Sequence, residues 1–231
     1  MKGSQWILLP LLIALFLLIY APCQPLHAED KGKKDILFRW AFGAMVGAEG
    51  DRRMVAITRD TTLKTGDKLK MLVELQNSCF VYLFYRTAED ELYLLFPYEL
   101  EQFEKDYVTS KKYYIPEGDM WFELDEKQGL ETFYLLASAK RLTELENLYG
   151  EYAAAEGSKK KGIGKQILKK IRTIKKQNRK LTTTAERPVP IGGNLRGAGK
   201  GSQARLPDID PIAAEVSASN FYSRTFTIDH R

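Results

Sequence analysis

The sequence predicts a mainly β protein: an antiparallel β-sandwich-like domain with one packed helix and a basic helical or disordered insertion before the last strand. Three observations predict this fold class. Short runs rich in Val, Phe, Tyr and Leu, separated by turn residues, recur between Leu63 and Ala139. The hydrophobic period then changes from that of strands to that of a helix. Lysine and arginine are concentrated between residues 158 and 205.

The β-sandwich-like domain is predicted to cover residues 36–157, including its C-terminal helix. The predicted strands lie at 36–42, 54–57, 69–75, 79–86, 91–96, 120–125 and 131–138, and a final strand at 218–229 returns to the sheet. Residues 80–85 and 132–137 are apolar at consecutive positions, which predicts central strands. Residues 69–75 alternate between apolar and polar, which predicts one solvent-facing side.

The helix that closes this domain is predicted at about 143–156. Thr143 and Glu146 have the spacing of a capping box, and Gly157 follows as a stop signal. Leucine and tyrosine recur at helical spacing from Leu145 to Tyr152. The pattern therefore predicts a helix that covers one face of the sheet.

Residues 1–28 have the layout of a signal peptide. Lys2 precedes an apolar run from Trp6 to Tyr20, and Ala28 stands before two acids. An uncleaved N-terminal anchor is an alternative, because the apolar run approaches the length of a spanning helix. Lipidation of Cys23 is a third interpretation. All three predict an exported protein that is periplasmic or envelope-associated and possibly membrane-anchored through this segment.

The sequence predicts no catalytic centre, cofactor or metal site. Beyond the predicted signal, Cys79 and His230 are single residues of their types, whereas a zinc site needs a cluster. Cys79 is predicted to be a buried, inert thiol, with intermolecular pairing as the alternative. His230 stands beside Asp229 near the chain end, where we expect a frayed or exposed position.

Residues 158–207 form the second predicted region, a basic amphipathic helix followed by a Gly/Pro-rich linker. Residues 158–205 hold fifteen basic residues and one acid, a net charge of +14 in a chain of net charge +5, so the remainder carries −9. The cations predicted to contact an anionic surface or a partner are Lys159, Lys160, Lys161, Lys165, Lys169, Lys170, Arg172, Lys175, Lys176, Arg179 and Lys180. The linker from about 186 is predicted to be disordered.

An apolar stripe runs along this basic helix and leaves several interpretations open. It consists of Ile163, Ile167, Ile171 and Ile174, continued by Leu181. The helix could lie on anionic lipid, or dock on an acidic partner, including this protein's own acidic domain. Nucleic acid is not an expected partner of an exported protein. Alternatively, the isoleucines pack on the sheet and the lysines face water.

Several segments resemble a known family in their order and spacing. They are Thr65-Gly66-Asp67 before an alternating strand, Val81-Tyr82, Leu95-Phe96-Pro97, Tyr114-Ile115-Pro116, and Gly129-Leu130-Glu131 leading into Ala137-Ser138. Over about residues 63–139 the chain resembles the bacterial family called Domain of Unknown Function 4384. The resemblance implies a small β domain in exported or envelope-associated proteins, and the family has no established catalytic residues to transfer.

The sequence thus predicts a non-catalytic exported module for envelope binding or assembly. Its expected partner is an envelope protein, or an anionic membrane or envelope polymer. The alternatives are an enzyme acting on envelope glycans through a loop carboxylate pair, drawn from acids such as Glu99, Glu101 and Glu104, or a structural subunit of a larger complex.

Overall fold

Two antiparallel or mixed sheets, stacked face to face, form the core of the domain in the computed structural model, which describes residues 35–48, 50–178, 184–188 and 207–231. The strands are β1 (Ile36–Val46), β2 (Arg53–Ala56), β3 (Thr61–Leu63), β4 (Lys68–Leu75), β5 (Phe80–Arg86), β6 (Leu92–Phe96), β7 (Lys112–Ile115), β8 (Phe122–Glu123), β9 (Gly129–Ser138), β10 (Thr184–Pro188), β11 (Ala214–Ala218) and β12 (Phe221–His230). The helices are α1 (Gln102–Lys105), α2 (Thr143–Ala153) and α3 (Gly157–Asn178), with a 3₁₀ turn at Asp210–Ile212. The β-sandwich-like prediction is confirmed. The predicted signal at 1–28 and most of the predicted linker lie outside the described residues.

The first sheet has the strand order β10-β11-β1-β4-β7, with β2 beside β1 and β8 beside β4. The second sheet has the order β3-β12-β9-β5-β6. β5 and β9 are therefore interior strands, as their continuous apolar sequence predicts. β12 lies between β3 and β9, parallel to the first and antiparallel to the second, so the predicted return of the last strand is also confirmed.

Aromatic residues dominate the core between the two sheets. Phe42 contacts Phe133 and Phe226 across the interface, with ring centroids 4.9 and 5.5 Å apart. Alternate residues of facing strands point into this layer, which is how a sandwich buries one face of each sheet. A second apolar layer lies on the outer face of the second sheet, beneath α2 and α3.

The predicted solvent-facing side of β4 is wrong. Leu72 is fully buried in a small cluster with Ala41, Ile209 and Ala213 on the outer face of the first sheet. Lys70 on the same face donates from Nζ to two backbone carbonyl oxygens, at 2.5 and 2.7 Å. Ile209 and Ala213, which are distant in sequence, therefore cover a face of β4 that the local alternation of apolar and polar residues predicts to be solvent-exposed.

Several further elements differ from expectation. The predicted strand at 120–125 is reduced to β8, and the strands β3, β7, β10 and β11 are additional to those predicted. Residues 184–188 overlap the segment predicted as disordered, but they pair with β11. Gly157, predicted to end a helix, instead begins α3 with a φ of 56° in the left-handed region.

Candidate functional site

Helix α3 is fixed to the domain by its isoleucine stripe. Ile163, Ile167, Ile171 and Ile174 are all buried, with Ile167 fully so. They share one cluster with Tyr82, Phe84 and Leu136 of the second sheet. The stripe is therefore structural. This corrects the interpretation in which these side chains enter lipid and the basic segment leaves the domain as a separate insertion.

A polar network fixes the start of α2, on which α3 packs. The Tyr82 hydroxyl donates to Glu146 Oε1 at 2.5 Å and accepts from the Leu142 backbone N–H at 2.9 Å. Arg141 forms an ion pair with the same carboxylate, with an N–O distance of 2.6 Å. Glu146 is thus engaged from two sides. The predicted capping box is wrong, because no side chain caps the helix and Glu146 faces the sheet.

Two tyrosines of α2 bind the edge of the second sheet. Tyr152 accepts a hydrogen bond from the Leu92 backbone N–H at 2.9 Å, and Tyr149 accepts one from Leu94 at 3.0 Å. Both donors belong to β6, the last strand of this sheet. The two hydroxyls therefore satisfy backbone groups that an edge strand would otherwise leave open. This holds the helical layer in register with the sheet.

The cations of α3 fall into two groups. Three are half-buried and engaged: Lys160 lies 5.0 Å from the Tyr152 ring centroid, Lys170 pairs with Glu144, and Lys175 donates to Thr225 Oγ1 at 2.7 Å. Burial lowers the pKa of Lys175. The exposed group is Lys159, Lys161, Lys165, Lys169, Arg172 and Lys176. Arg179 and Lys180 lie outside the described residues.

Five of the exposed cations form one line, which we name the cationic ridge. Its members are Lys161, Lys165, Lys169, Arg172 and Lys176. At about 100° per residue they project within an arc of about 80°, centred about 160° from the isoleucine stripe. The ridge extends for about 22 Å along the helix axis. Among the described residues, no carboxylate pairs with any of the five.

The acids that a glycan-acting enzyme would use are distributed over exposed loops. Glu104 pairs with Arg141 at 2.9 Å, while Glu99 and Glu101 are exposed beside α1. Asp90 pairs with Arg86, and Glu91 accepts from the Tyr93 hydroxyl. These contacts are those of surface carboxylates that neutralise nearby cations and donors.

His230 is not at a frayed end: it is 1% exposed. Its Nε2 lies 3.2 Å from Thr65 Oγ1, and its Nδ1 lies 3.4 Å from Glu131 Oε1. The carboxylate is itself 5% exposed. The prediction of an exposed histidine is therefore wrong, because β12 carries His230 into the end of the sandwich.

The hydrogen bonds of Thr65 define the proton positions in this cluster. Its single hydroxyl proton goes to the Asp125 carbonyl oxygen at 3.0 Å, so Oγ1 can only accept from His230, and Nε2 carries a proton. His230 is therefore not placed to take a proton from Thr65, as a nucleophile's base would be.

Cys79 is buried, as predicted. The thiol is 1% exposed, and burial raises its pKa to about 11.

Among the described residues, no group of three or more His, Cys, Asp and Glu side chains could hold a metal ion. No helix in the described part of the chain has the length and apolar content needed to cross a membrane.

Comparison with known proteins identifies one domain. A family model described as Domain of unknown function (DUF4384) matches residues 62–141. These residues run from the β3 region to the segment before α2, so α3 and the strands β1 and β10–β12 lie outside the match. No curated protein and no solved structure matches the chain. Over residues 62–141 this chain is therefore similar to the family Domain of unknown function (DUF4384), in agreement with the resemblance seen in its sequence segments.

Proposed function

We propose that this protein is a non-catalytic, exported binding module that holds an anionic polymer or surface of the cell envelope along its cationic ridge. The observation that carries this proposal is a row of five exposed cations on a helix fixed by its opposite face, with no acidic partner among the residues that the structure describes. Export is supported by the signal-like pattern at residues 1–28.

The spacing within the ridge supports a binding role. The five ridge residues form four adjacent pairs, and the members of each pair are three or four residues apart. Like charges at this spacing repel and destabilise a helix by about 0.2–0.5 kcal/mol a pair. A water-facing surface does not require this pattern, since alternating charges would stabilise the helix. A bound polyanion would remove the repulsion by neutralising the ridge.

The burial of the isoleucines defines the kind of attachment that we propose. With no apolar stripe to insert among acyl chains, the ridge binds by charge alone. Such binding falls as salt shortens the Debye length, to about 3 Å at 1 M. Binding that is fully reversed by salt distinguishes this mode from membrane insertion.

The test compares two variants of the full chain with equal loss of charge. The ridge variant replaces Lys161, Lys165, Lys169, Arg172 and Lys176 with glutamine. The control replaces five exposed cations outside α3: Arg53, Arg59, Lys64, Lys105 and Lys140. Glutamine, lysine and arginine have similar helix propensities, so we expect α3 to persist in the ridge variant.

The measurement is retention on immobilised polyphosphate and co-sedimentation with anionic vesicles, each across a salt series. We expect the ridge variant to lose binding and the control to keep most of it. Equal losses in both variants would show that only net charge matters and would overturn the proposal. Binding to an acidic protein from the same cells, with no affinity for polyphosphate or vesicles, would instead favour a protein partner.

A further inference from the structure

A pocket of about 200 Å³ opens at one end of the sandwich, between the two sheets. Its walls include Leu69 of β4, Leu95 of β6 and Phe133 of β9. Phe122 stands at the rim and is 37% exposed. The space equals roughly six or seven waters at about 30 Å³ each, so it suits an occupant of similar heavy-atom number.

The polar side of this pocket is the Glu131 carboxyl group. Oε1 faces His230, whereas Oε2 is buried and has no hydrogen-bond partner among the described residues. The Tyr85 hydroxyl interacts with the same carboxyl group and also lines the pocket. A buried oxygen without a donor destabilises the fold, so a group that enters this cavity and donates to Oε2 would be stabilised there.

The aromatic rings of the pocket favour a positively charged donor. Tyr85 and Phe133 stack with their centroids 4.7 Å apart, and both line the cavity. Ring faces attract ammonium groups. Apolar walls, in turn, suit an alkyl stem.

The charges around the rim of the pocket also favour a positively charged ligand. Glu123 is neutralised by Lys68 at 3.0 Å. Within the described part of the chain, the Asp125 carboxylate accepts one hydrogen bond, from the Lys127 backbone N–H at 2.8 Å, and Asp125 also lines the pocket. Glu131 Oε1 lies 3.4 Å from His230 Nδ1, whereas among the described residues no cationic side chain pairs with Asp125. The Asp125 carboxylate therefore adds a negative charge at the opening.

We propose that this pocket binds a primary alkylammonium group with a stem of about four carbons, its N–H groups donating to Glu131 Oε2 and its stem lying against the apolar walls. The occupant is a free alkylamine or the side chain of a lysine presented by a partner. This site is separate from the cationic ridge, and neither proposal depends on the other.

Three probes with the same butyl chain separate charge from hydrogen bonding in the ¹⁵N-labelled full chain. n-Butanol matches n-butylammonium in heavy atoms, whereas butyltrimethylammonium has a larger head group. n-Butylammonium has both charge and donors, n-butanol has a donor without the charge, and butyltrimethylammonium has the charge without a donor. We expect saturable shifts of the Tyr85, Glu131 and Phe133 amide signals with n-butylammonium, at millimolar affinity. The other two probes should bind at least about tenfold more weakly, because n-butanol lacks the positive charge and butyltrimethylammonium lacks the hydrogen-bond donor.

Two variants locate the bound group. Glu131→Gln should weaken n-butylammonium binding by about tenfold or more. Asp125→Asn, which keeps the oxygen that accepts from Lys127, should weaken it by about threefold. The matched control is Glu126→Gln, which removes an exposed charge of the same loop outside the pocket lining. It should bind like the unmodified chain.

The decisive comparison uses the unmodified protein, so it stands even if Glu131→Gln fails to fold. Absence of saturable shifts, or equal binding of n-butanol and n-butylammonium, would overturn the proposal. A capped Gly-Lys-Gly peptide distinguishes the two sources. Tighter binding than n-butylammonium identifies a partner's lysine as the occupant, and weaker binding identifies a free amine.

Discussion

Single buried groups account for much of the chemistry of this protein at the scale of the residue. Cys79, Tyr82, Glu131 and His230 lie inside the sandwich or its helical layer, and all four contact partners from distant parts of the chain. The position of each was set by tertiary contacts that its neighbours in sequence do not indicate. Because these groups are buried, reagents in solution have little access to them.

The thiol of Cys79 should be protected in the native state. Because burial raises its pKa from 9.0 to about 11, little thiolate forms near pH 8. A Cys23→Ser variant leaves Cys79 as the single thiol, and we expect it to react with a disulfide reagent only after urea unfolding. The raised pKa of this thiol also makes the free energy of unfolding depend on pH. The neutral thiol stabilises the native state fully below pH 9, and this contribution is lost as the pH rises through about 11. Rapid native-state labelling would contradict the burial of this residue.

Removing the hydroxyl of Tyr82 should destabilise the fold. Tyr82→Phe leaves Glu146 without one donor and the Leu142 N–H without its acceptor. We expect the free energy of unfolding to fall by about 1–3 kcal/mol in urea denaturation. Tyr134→Phe is the control, since that hydroxyl forms no hydrogen bond among the described residues. A Tyr82→Phe variant as stable as the control would show that the network contributes nothing net.

At the scale of the element, α3 combines a structural face with a solvent face. Its isoleucines hold it to the second sheet, and its cationic ridge faces away from them. Because the two faces are separate, stability and binding should change independently. A variant of one face therefore serves as the control for the other.

Ile167→Ala should destabilise α3 and the domain with it. The side chain is fully buried, and truncations of this kind cost about 2–5 kcal/mol. Lys165→Ala, two residues away and on the exposed face, should change stability by less than about 0.5 kcal/mol. Thermal unfolding followed by circular dichroism checks both. Equal shifts would show that the helix is not held by its stripe.

Sequence patterns predicted those elements whose signal is local. The apolar runs of β5 and β9 specify interior strands, and the isoleucine period specifies a helix. β11 was missed because Ala214–Ala218 is short and mixes small and polar residues with a single valine. The prediction that one face of β4 is exposed to solvent was wrong, because Ile209, which is distant in sequence, covers Leu72.

The candidate sites were predictable to different degrees. The cations of the ridge are visible in sequence, but their separation from the engaged lysines depends on where α2 and β12 lie. The pocket was not predictable, because Glu131 and His230 meet only through the pairing of β9 with β12. A single histidine near the chain end resembles a surface residue until that pairing is known.

At the scale of the whole molecule, the family segment is enclosed by strands from outside it. β1 separates β4 from β11, and β12 separates β9 from β3. Both β1 and β12 lie outside residues 62–141. The segment that matches the family model is therefore not the unit that buries the core in this chain.

Residues 62–141 expressed alone should not fold. Without β12, the second sheet loses an interior strand and exposes Phe133 and Leu135, and without β1 the first sheet loses its partner for β4. We expect poor amide dispersion in a ¹H–¹⁵N spectrum, in contrast to residues 35–231. A dispersed spectrum of the short segment would show that this family domain is self-sufficient.

The pairing of β12 with β3 also bears on how quickly the chain reaches its native state. The Thr227 backbone N–H donates to Asp60 Oδ1 across 167 residues of sequence, and His230 Nε2 lies 3.2 Å from Thr65 Oγ1 across 165. Closing such long loops costs chain entropy before any contact compensates for it, so folds of this kind form in milliseconds to seconds rather than microseconds. Until that closure, β9 exposes an apolar edge to other chains. The interval between collapse and closure is when this protein is most exposed to aggregation and proteolysis, and when a chaperone would have most effect.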